Sequence, residues 1–212
     1  MARKFQESDQ YVFLNIPYDT KFRRLFLAYI CGLTHLGLIP RTTFEIQGGR
    51  NRSDKILELI RSCKYSIHDL SRVQLNRNPP TTPRFNMPFE LGLAFAVSRL
   101  DSNFTETNPH VWFVFETISR RLSKSLSDLS GADPNIHDGT VGGVMRELAN
   151  SFSRPSKSSQ PSVDEMMRTY RKVSSIVEVL QKKARAKSLY ETAIFSQLYL
   201  AAAEAAGLPK TR

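Results

Sequence analysis

Short apolar runs alternate with amphipathic stretches over residues 11–152. Four runs of about five to seven residues, beginning at Tyr11, Leu38, Tyr65 and Val111, are predicted strands. The first, Tyr11 to Ile16, is continuously apolar, which is typical of a strand buried on both faces, whereas Pro40 suits the second to an edge of the sheet. Between these runs, apolar residues recur every three or four positions, which is the spacing of a helix with one buried face. Strands that alternate with helices in this way form right-handed βαβ units. The pattern therefore predicts an α/β fold with a mostly parallel sheet and helices on both faces.

The composition changes after residue 152. Residues 153–162 are rich in Ser, Pro and Lys, which is typical of a linker. Apolar residues then recur twice more at helical spacing, with a break near residue 187. We therefore predict an α/β domain over residues 1–152, a linker over 153–162 and a helical extension over 163–212. Such an extension docks on the sheet domain or pairs with a second copy of the chain.

Charge is unevenly distributed along the chain. The formal net charge is +10, and residues 153–212 supply 11 Lys or Arg against 5 Asp or Glu. This basic segment is either a solvated helix face or a surface that contacts phosphates. No apolar run approaches the ~20 residues of a membrane span. The two cysteines, Cys31 and Cys63, are expected to be core thiols in a reducing compartment, which favours a cytoplasmic location and no membrane partner.

The stretch from Arg84 to Ala94 contains the leading candidate for catalysis. Pro88 suits a first helical turn, and Asn86 suits the cap before it. Glu90 then lies in or next to the first turn, where exposed N–H groups favour a carboxylate. Such an acid often only stabilises the helix, so a structural and a catalytic role for Glu90 both remain open.

Polar residues follow the predicted strands, where open parallel sheets bind ligands. Tyr18 and Asp19 follow the first strand, Asp69 ends the third, and Glu116 follows the fourth. A carboxylate beside a sugar can attack C1 or stabilise its positive charge while a base leaves, and Glu90 is our candidate.

The neighbouring polar residues are candidates for holding a nucleotide. Asp69 or Asp19 would hold sugar hydroxyls, and Tyr18 would stack on a base. Alternatively, Asp69 caps a loop and Tyr18 is a packing residue. Four arginines offer donors suited to phosphate oxygens: Arg50, Arg52, Arg72 and Arg84.

Several other chemistries lack their sequence motifs. No GxGxxG follows the first strand, and neither GxxxxGK[ST] nor GxSxG occurs. The four histidines are scattered without metal-ligand spacing, and His68 and Asp69 point to opposite faces of a strand. We therefore expect no metal site and no resident cofactor.

Three motifs resemble those of nucleoside 2-deoxyribosyltransferase-like proteins, which share a flavodoxin-like fold with TIR domains. They are the strand end Asn15-Ile16-Pro17-Tyr18-Asp19, the strand end at Asp69, and the helix start Phe89-Glu90-Leu91-Gly92. The resemblance implies that Glu90 is catalytic and that Asp69 and the Tyr18–Asp19 turn line the sugar site. Arg84, Asn86 and Asn15, which lie in the same stretches, complete the expected substrate-binding set.

The residues before Glu90, Asn86-Met87-Pro88-Phe89, are bulkier than those typical of the transferases. By resemblance, TIR-like cleavage of NAD or another nucleotide is favoured, in stress response or antiphage defence, with assembly through the C-terminal helices. The alternatives are a nucleotide sensor that uses the same pocket without turnover and, less favoured, a nucleic-acid-binding protein that uses the basic C-terminal helices. The long loop over residues 71–86 is a candidate lid above Glu90.

Overall fold

The chain forms two compact units. The structure is a computed structural model that describes residues 7–46, 51–73, 82–106, 108–129, 132–153 and 161–209. Met1–Pro17 and Arg41–Ile136 form one unit, called here the sheet unit, whereas Tyr18–Pro40 and His137–Arg212 form the other, the helical unit. This grouping does not follow the boundaries expected after residues 152 and 162. The expected domain boundaries stay a prediction, and most of the linker expected at 153–162 lies outside the described residues.

Five parallel strands form one sheet in the described part of the chain. The strands are β1 (Tyr11–Asn15), β2 (Ile39–Thr42), β3 (Tyr65–Asp69), β4 (Val111–Glu116) and β5 (Asn135–Ile136). Their order is β2-β1-β3-β4-β5, which is the flavodoxin-like order. Asn15 lies opposite His68, and Asp69 lies opposite Phe115. The prediction of an α/β, flavodoxin-like fold with a mostly parallel sheet is confirmed.

The strands β1 and β3 are buried on both faces of the sheet, whereas β2 is buried at alternate residues and β4 over its last three residues. In β1, residues Val12 to Leu14 are fully buried, and Ile67 in β3 is equally buried. The fifth strand, β5, was not expected, because Asn135–Ile136 lies at the end of a segment rich in turn residues. Pairing with Phe115 and Glu116 of β4 makes these two residues a strand.

Within the described residues, three α-helices belong to the sheet unit: α2 (Arg52–Arg61), α3 (Asn86–Leu100) and α4 (Arg121–Ser125). Helix α3 contacts β1, β3 and β4 through a stripe of buried residues at helical spacing. The stripe consists of Met87, Glu90, Leu91, Ala94 and Val97. A carboxylic acid therefore lies within the apolar face of the helix that covers the sheet.

The expected cap of α3 is wrong. Asn86 is the first residue of α3 rather than its cap, and the residue before it, Phe85, makes no side-chain capping bond. The difference is one residue, which is within the ordinary uncertainty of a helix boundary. Helix α2 is capped by Asn51, whose side chain accepts a hydrogen bond from the Ser53 amide.

The helical unit contains α1 (Arg23–His35), α5 (Val141–Ser151), α6 (Val163–Lys183) and α7 (Thr192–Ala205). Helix α1 contacts the other three, and its central residues are buried. Ser162 and Glu165 form a capping box at the start of α6. Among the described residues, no helix is long and apolar enough to cross a membrane. Cys31 and Cys63 are buried free thiols, and burial raises the pKa of each.

Candidate functional site

Three adjacent strands of the sheet unit end in polar side chains. Asn15 ends β1, Asp69 ends β3 and Glu116 ends β4, and all three residues are buried. Because β1, β3 and β4 are parallel neighbours, these residues lie along the carboxyl edge of the sheet. This edge is where open α/β sheets bind ligands.

Glu90 lies in the N-terminal part of α3, on the face of the helix that packs against the sheet. Its residue is only 7% exposed, and no hydrogen bond or ion pair to its carboxyl group occurs in the part of the chain that the structure describes. Burial raises the pKa of Glu90 from 4.5 to about 7, and the positive charge of Arg52 opposes that rise. The carboxyl group therefore changes its charge near neutral pH.

Arg52 is the charged group that acts electrostatically on Glu90. It is the first residue of α2, exposed to solvent, in a helix that packs against α3. Because the guanidinium group of Arg52 is exposed, its N–H donors remain available to an anion, while its charge lowers the pKa of the buried carboxyl group. Arg52 therefore combines a long-range effect on Glu90 with free access from solvent.

Asn15 is held by two hydrogen bonds that use both hydrogens of its side-chain amide. Nδ2 donates to the Met87 carbonyl oxygen at 2.8 Å and to His68 Nδ1 at 3.0 Å. The Oδ1 oxygen makes no hydrogen bond in the described residues. Since Met87 lies one turn before Glu90 in α3, the amide of Asn15 ties the end of β1 to the start of the Glu90 helix.

His68 continues this contact into a buried polar row, defined by Asn15, His68, Ser66 and His110. His68 Nε2 and Ser66 Oγ are 3.0 Å apart, and Ser66 Oγ and His110 Nε2 are also 3.0 Å apart. The row ends where His110 Nδ1 meets the Cys63 carbonyl oxygen at 2.9 Å.

The two ends of the buried polar row determine where its protons lie. The Cys63 carbonyl can only accept, so His110 is protonated at Nδ1 and its Nε2 accepts from Ser66. Ser66 then accepts from His68 Nε2, which leaves His68 Nδ1 to accept from Asn15. Burial lowers the pKa of His68 to about 3, and burial also lowers that of His110. Both rings are therefore neutral, and the row orients Asn15 without a change in charge.

Glu116 differs from Glu90 in having its hydrogen-bonding capacity filled. Its Oε1 accepts from the Thr117 amide at 2.6 Å, and its Oε2 accepts from Arg121 Nε at 2.7 Å. Arg121 also donates from Nη2 to Glu116 and, at 3.0 Å, to the Leu70 carbonyl oxygen. This bidentate pair joins the ends of β3 and β4, so Glu116 has a structural role.

Asp69 and the residues before Glu90 have mixed surroundings. Asp69 Oδ1 accepts from the Ser71 amide at 2.9 Å, which is the loop-capping contact considered from the sequence. Arg84 is half-buried just before α3, and Asn86 is exposed at its first residue. The structure thus brings Asn15 to the helix of Glu90, while the ligand contacts expected of Asp69, Arg84 and Asn86 stay predictions.

Tyr18 and Asp19 belong to the helical unit. The Asp19 carboxylate accepts from the amides of Lys21 and Phe22 and so caps the turn before α1. Tyr18 packs against Phe26 and Tyr190, with ring centroids 6.4 and 5.6 Å away. Their expected roles at a sugar or a base stay predictions. Gln47 to Arg50 and residues 74–81 of the expected lid lie outside the described residues.

Sequence reasoning missed the buried polar row. Neither metal-ligand spacing nor the adjacent pair His68–Asp69 predicts it, because the row joins residues of different strands. Among the described residues, no group of three or more His, Cys, Asp or Glu side chains could hold a metal ion. The available signal was the Ser66-x-His68 spacing, which puts two polar side chains on one face of a strand that is otherwise buried.

Comparisons with known proteins add no assignment. No protein-family model matches the chain, and no curated protein or solved structure matches it.

Proposed function

We propose that the sheet unit binds a nucleotide at the carboxyl edge of its sheet and cleaves the N-glycosidic bond through Glu90. The observation that supports this proposal is the buried Glu90 carboxyl group, which has no hydrogen-bond partner in the described residues and a pKa raised to about 7. Structural carboxylates are normally satisfied, as Glu116 is. A largely buried carboxyl group with a raised pKa and without a protein partner, at a ligand-binding edge, is typical of a functional residue.

In the proposed reaction, ionised Glu90 faces C1 of the sugar. It attacks C1, or stabilises its positive charge, while the bond from C1 to the base nitrogen breaks. Water then adds its hydroxyl group to C1, which releases Glu90 as a carboxylate. The remaining proton of that water goes to a base that departs as an anion, or to solvent where the base departs neutral, as nicotinamide does. Asn15 Oδ1 accepts from a sugar hydroxyl, and Arg52 donates to a phosphate. NAD is one candidate substrate, in line with the resemblance to TIR-like and deoxyribosyltransferase-like proteins.

The test is to incubate the protein with NAD and a panel of nucleotides and to follow released base by mass spectrometry. Glu90→Gln removes the nucleophile and is expected to lower the rate at least about a thousandfold. Because the ionised form reacts, the wild-type rate should rise as the pH passes through about 7 and then level off. Glu106→Gln, which changes an exposed acid of the same unit, is the control.

An unchanged rate in Glu90→Gln would contradict the catalytic role of Glu90. A rate that falls instead of rising through pH 7 would show that the protonated form reacts, so that Glu90 acts as an acid.

A nucleotide-binding protein without turnover is the second candidate. Glycoside hydrolysis generally uses two carboxyl groups, and in the carboxyl edge described here Glu116 is paired with Arg121 while Asp69 caps a turn. Of these three carboxyl groups, Glu90 is therefore the one that remains available to a ligand. A single available carboxyl group favours binding of a nucleotide without cleavage. Calorimetric titration with the same nucleotides distinguishes the candidates, because a binding protein gives saturable heat without released base. Release of base from any of these nucleotides would reject the candidate that binds without turnover.

A further inference from the structure

A cavity of about 520 Å³ lies on the sheet unit beside the N-terminal half of β4. Its lining includes Phe95 and Arg99 of α3, Trp112 of β4, and Asp128 and Asp133 from the segment before β5. Glu90 does not line it, so this edge cavity is distinct from the candidate active site. Its volume is within the range that binds small ligands or a few residues of a peptide.

The edge cavity combines aromatic surface with negative charge. Phe95 and Trp112 pack edge to face with centroids 5.9 Å apart, and Arg99 lies over the Phe95 ring at 5.7 Å. Asp128 and Asp133 make no ion pair or hydrogen bond in the described residues. Two carboxylates against one arginine give a local charge of −1 in a protein whose formal net charge is +10. A cation on an apolar stem matches these walls, through the carboxylates and the aromatic faces.

The same cavity borders an open part of the sheet edge. The Val111 amide donates to Lys64, and the Phe115 carbonyl accepts from Leu70, so the backbone groups of these residues point toward β3. The backbone groups of successive residues in a strand point to alternate sides, so those of Trp112 point away from β3. There β5 pairs only with Phe115 and Glu116. In the described chain, the N–H and C=O of Trp112 therefore face no neighbouring strand.

We propose that the edge cavity binds an extended peptide through the backbone of Trp112 and holds one arginine or lysine side chain of that peptide. In an antiparallel pair, directly opposite residues project their side chains from the same face. A basic residue opposite Trp112 therefore projects over Trp112 and Phe95, within the cavity that Asp128 and Asp133 line. Main-chain hydrogen bonds bind the peptide, and the cavity selects its side chain.

Trp112 provides the readout, because it is the single tryptophan of the chain. The probe is a capped Ser-Val-Arg-Val-Ser peptide titrated into the full-length protein while tryptophan fluorescence is recorded. We expect a saturable change with this peptide and none with the version that carries Glu in place of Arg. The absence of a saturable change at millimolar peptide, or an equal response to the acidic peptide, would overturn the proposal.

Two variants test the charge. Asp128→Asn with Asp133→Asn should weaken binding about tenfold or more, because both carboxylates of the edge cavity are lost. Glu58→Gln with Glu106→Gln removes the same charge from exposed positions elsewhere in the sheet unit and should bind like the wild type. Equal weakening of peptide binding in both double variants would show that only the net charge matters. That result would reject the edge cavity as the binding site of the basic side chain.

Two further probes test the sheet pairing. N-methylation of the arginine amide removes the donor to the Trp112 carbonyl and should weaken binding about threefold to tenfold. Free arginine amide, which has the cation without the strand, should bind far more weakly than the peptide. If either probe binds as tightly as the unmodified peptide, the cavity does not recognise an extended strand.

Discussion

Replacing Glu90 with glutamine should stabilise the protein, and the gain should depend on pH. Glutamine has nearly the shape of a protonated glutamic acid but cannot ionise. Above neutral pH the wild-type protein must keep a charged group at a position that is 7% exposed and, within the described residues, without a hydrogen-bond partner. The neutral amide removes the free-energy cost of burying that charge.

The size of the effect follows from the pKa of Glu90. The folded protein raises this pKa from 4.5 to about 7, so the folded state holds a proton more tightly than the unfolded state. Wild-type stability therefore falls as the pH rises from 4.5 to about 7 and then levels off. Since one pKa unit corresponds to about 1.4 kcal/mol, the loss at pH 8 is about 3 kcal/mol. The glutamine variant should be more stable by that amount at pH 8 and by almost nothing at pH 4.5.

Urea unfolding at a series of pH values between 4.5 and 8 measures this difference. The quantity compared is the free energy of unfolding of Glu90→Gln minus that of the wild type. Glu106→Gln serves as the control, because this residue is exposed and its replacement should give a difference near zero throughout. A difference at Glu90 that is constant with pH, or that favours the wild type at pH 8, would refute the prediction that ionisation of the buried carboxyl group destabilises the folded protein.

Two other substitutions test packing and hydrogen bonding, each against a matched control. Ser66→Ala removes the hydroxyl between two buried histidines and should lower the free energy of unfolding by about 2–4 kcal/mol. The control Ser98→Ala, on the surface of α3, should change it by less than about 0.5 kcal/mol. Equal effects of the two substitutions would contradict the buried polar row. Gly143→Ala would bring a Cβ within 1.9 Å of the His137 carbonyl oxygen and should prevent stable folding of α5 against the preceding turn, whereas Gly142→Ala meets no atom within 4 Å and should leave the melting temperature unchanged or higher. A normal melting temperature for Gly143→Ala would contradict the close approach.

The stability prediction and the proposed reaction depend on the same property of Glu90. A carboxyl group that destabilises the folded protein is retained where function requires it, as the trade-off between activity and stability predicts. Glu116 shows the other outcome, since Arg121 and the Thr117 amide satisfy a carboxylate that is equally buried. The contrast between two glutamates of one unit is therefore the structural argument for a function at Glu90.

The amino-acid sequence by itself determined the order and type of the main elements. The continuous apolar run of β1 is buried on both faces, and a pattern of this kind depends on local spacing that can be counted along the chain. The strand β5 has two residues and no such pattern. Only its pairing with β4 makes it a strand, so it could not be predicted from its own composition.

Only the tertiary structure decided which polar residues are satisfied. Glu90 and Glu116 are both acids near an apolar stretch, but Glu116 has Arg121 five residues later and Glu90 has no such partner in the described chain. The buried polar row joins β1, β3 and the residue just before β4, with partners 53 and 44 positions apart in the chain. Such contacts form when strands pair, and their free energy depends on burial and distance in space. Sequence spacing reports neither quantity, whereas it does report the periodicity that builds the helices and strands.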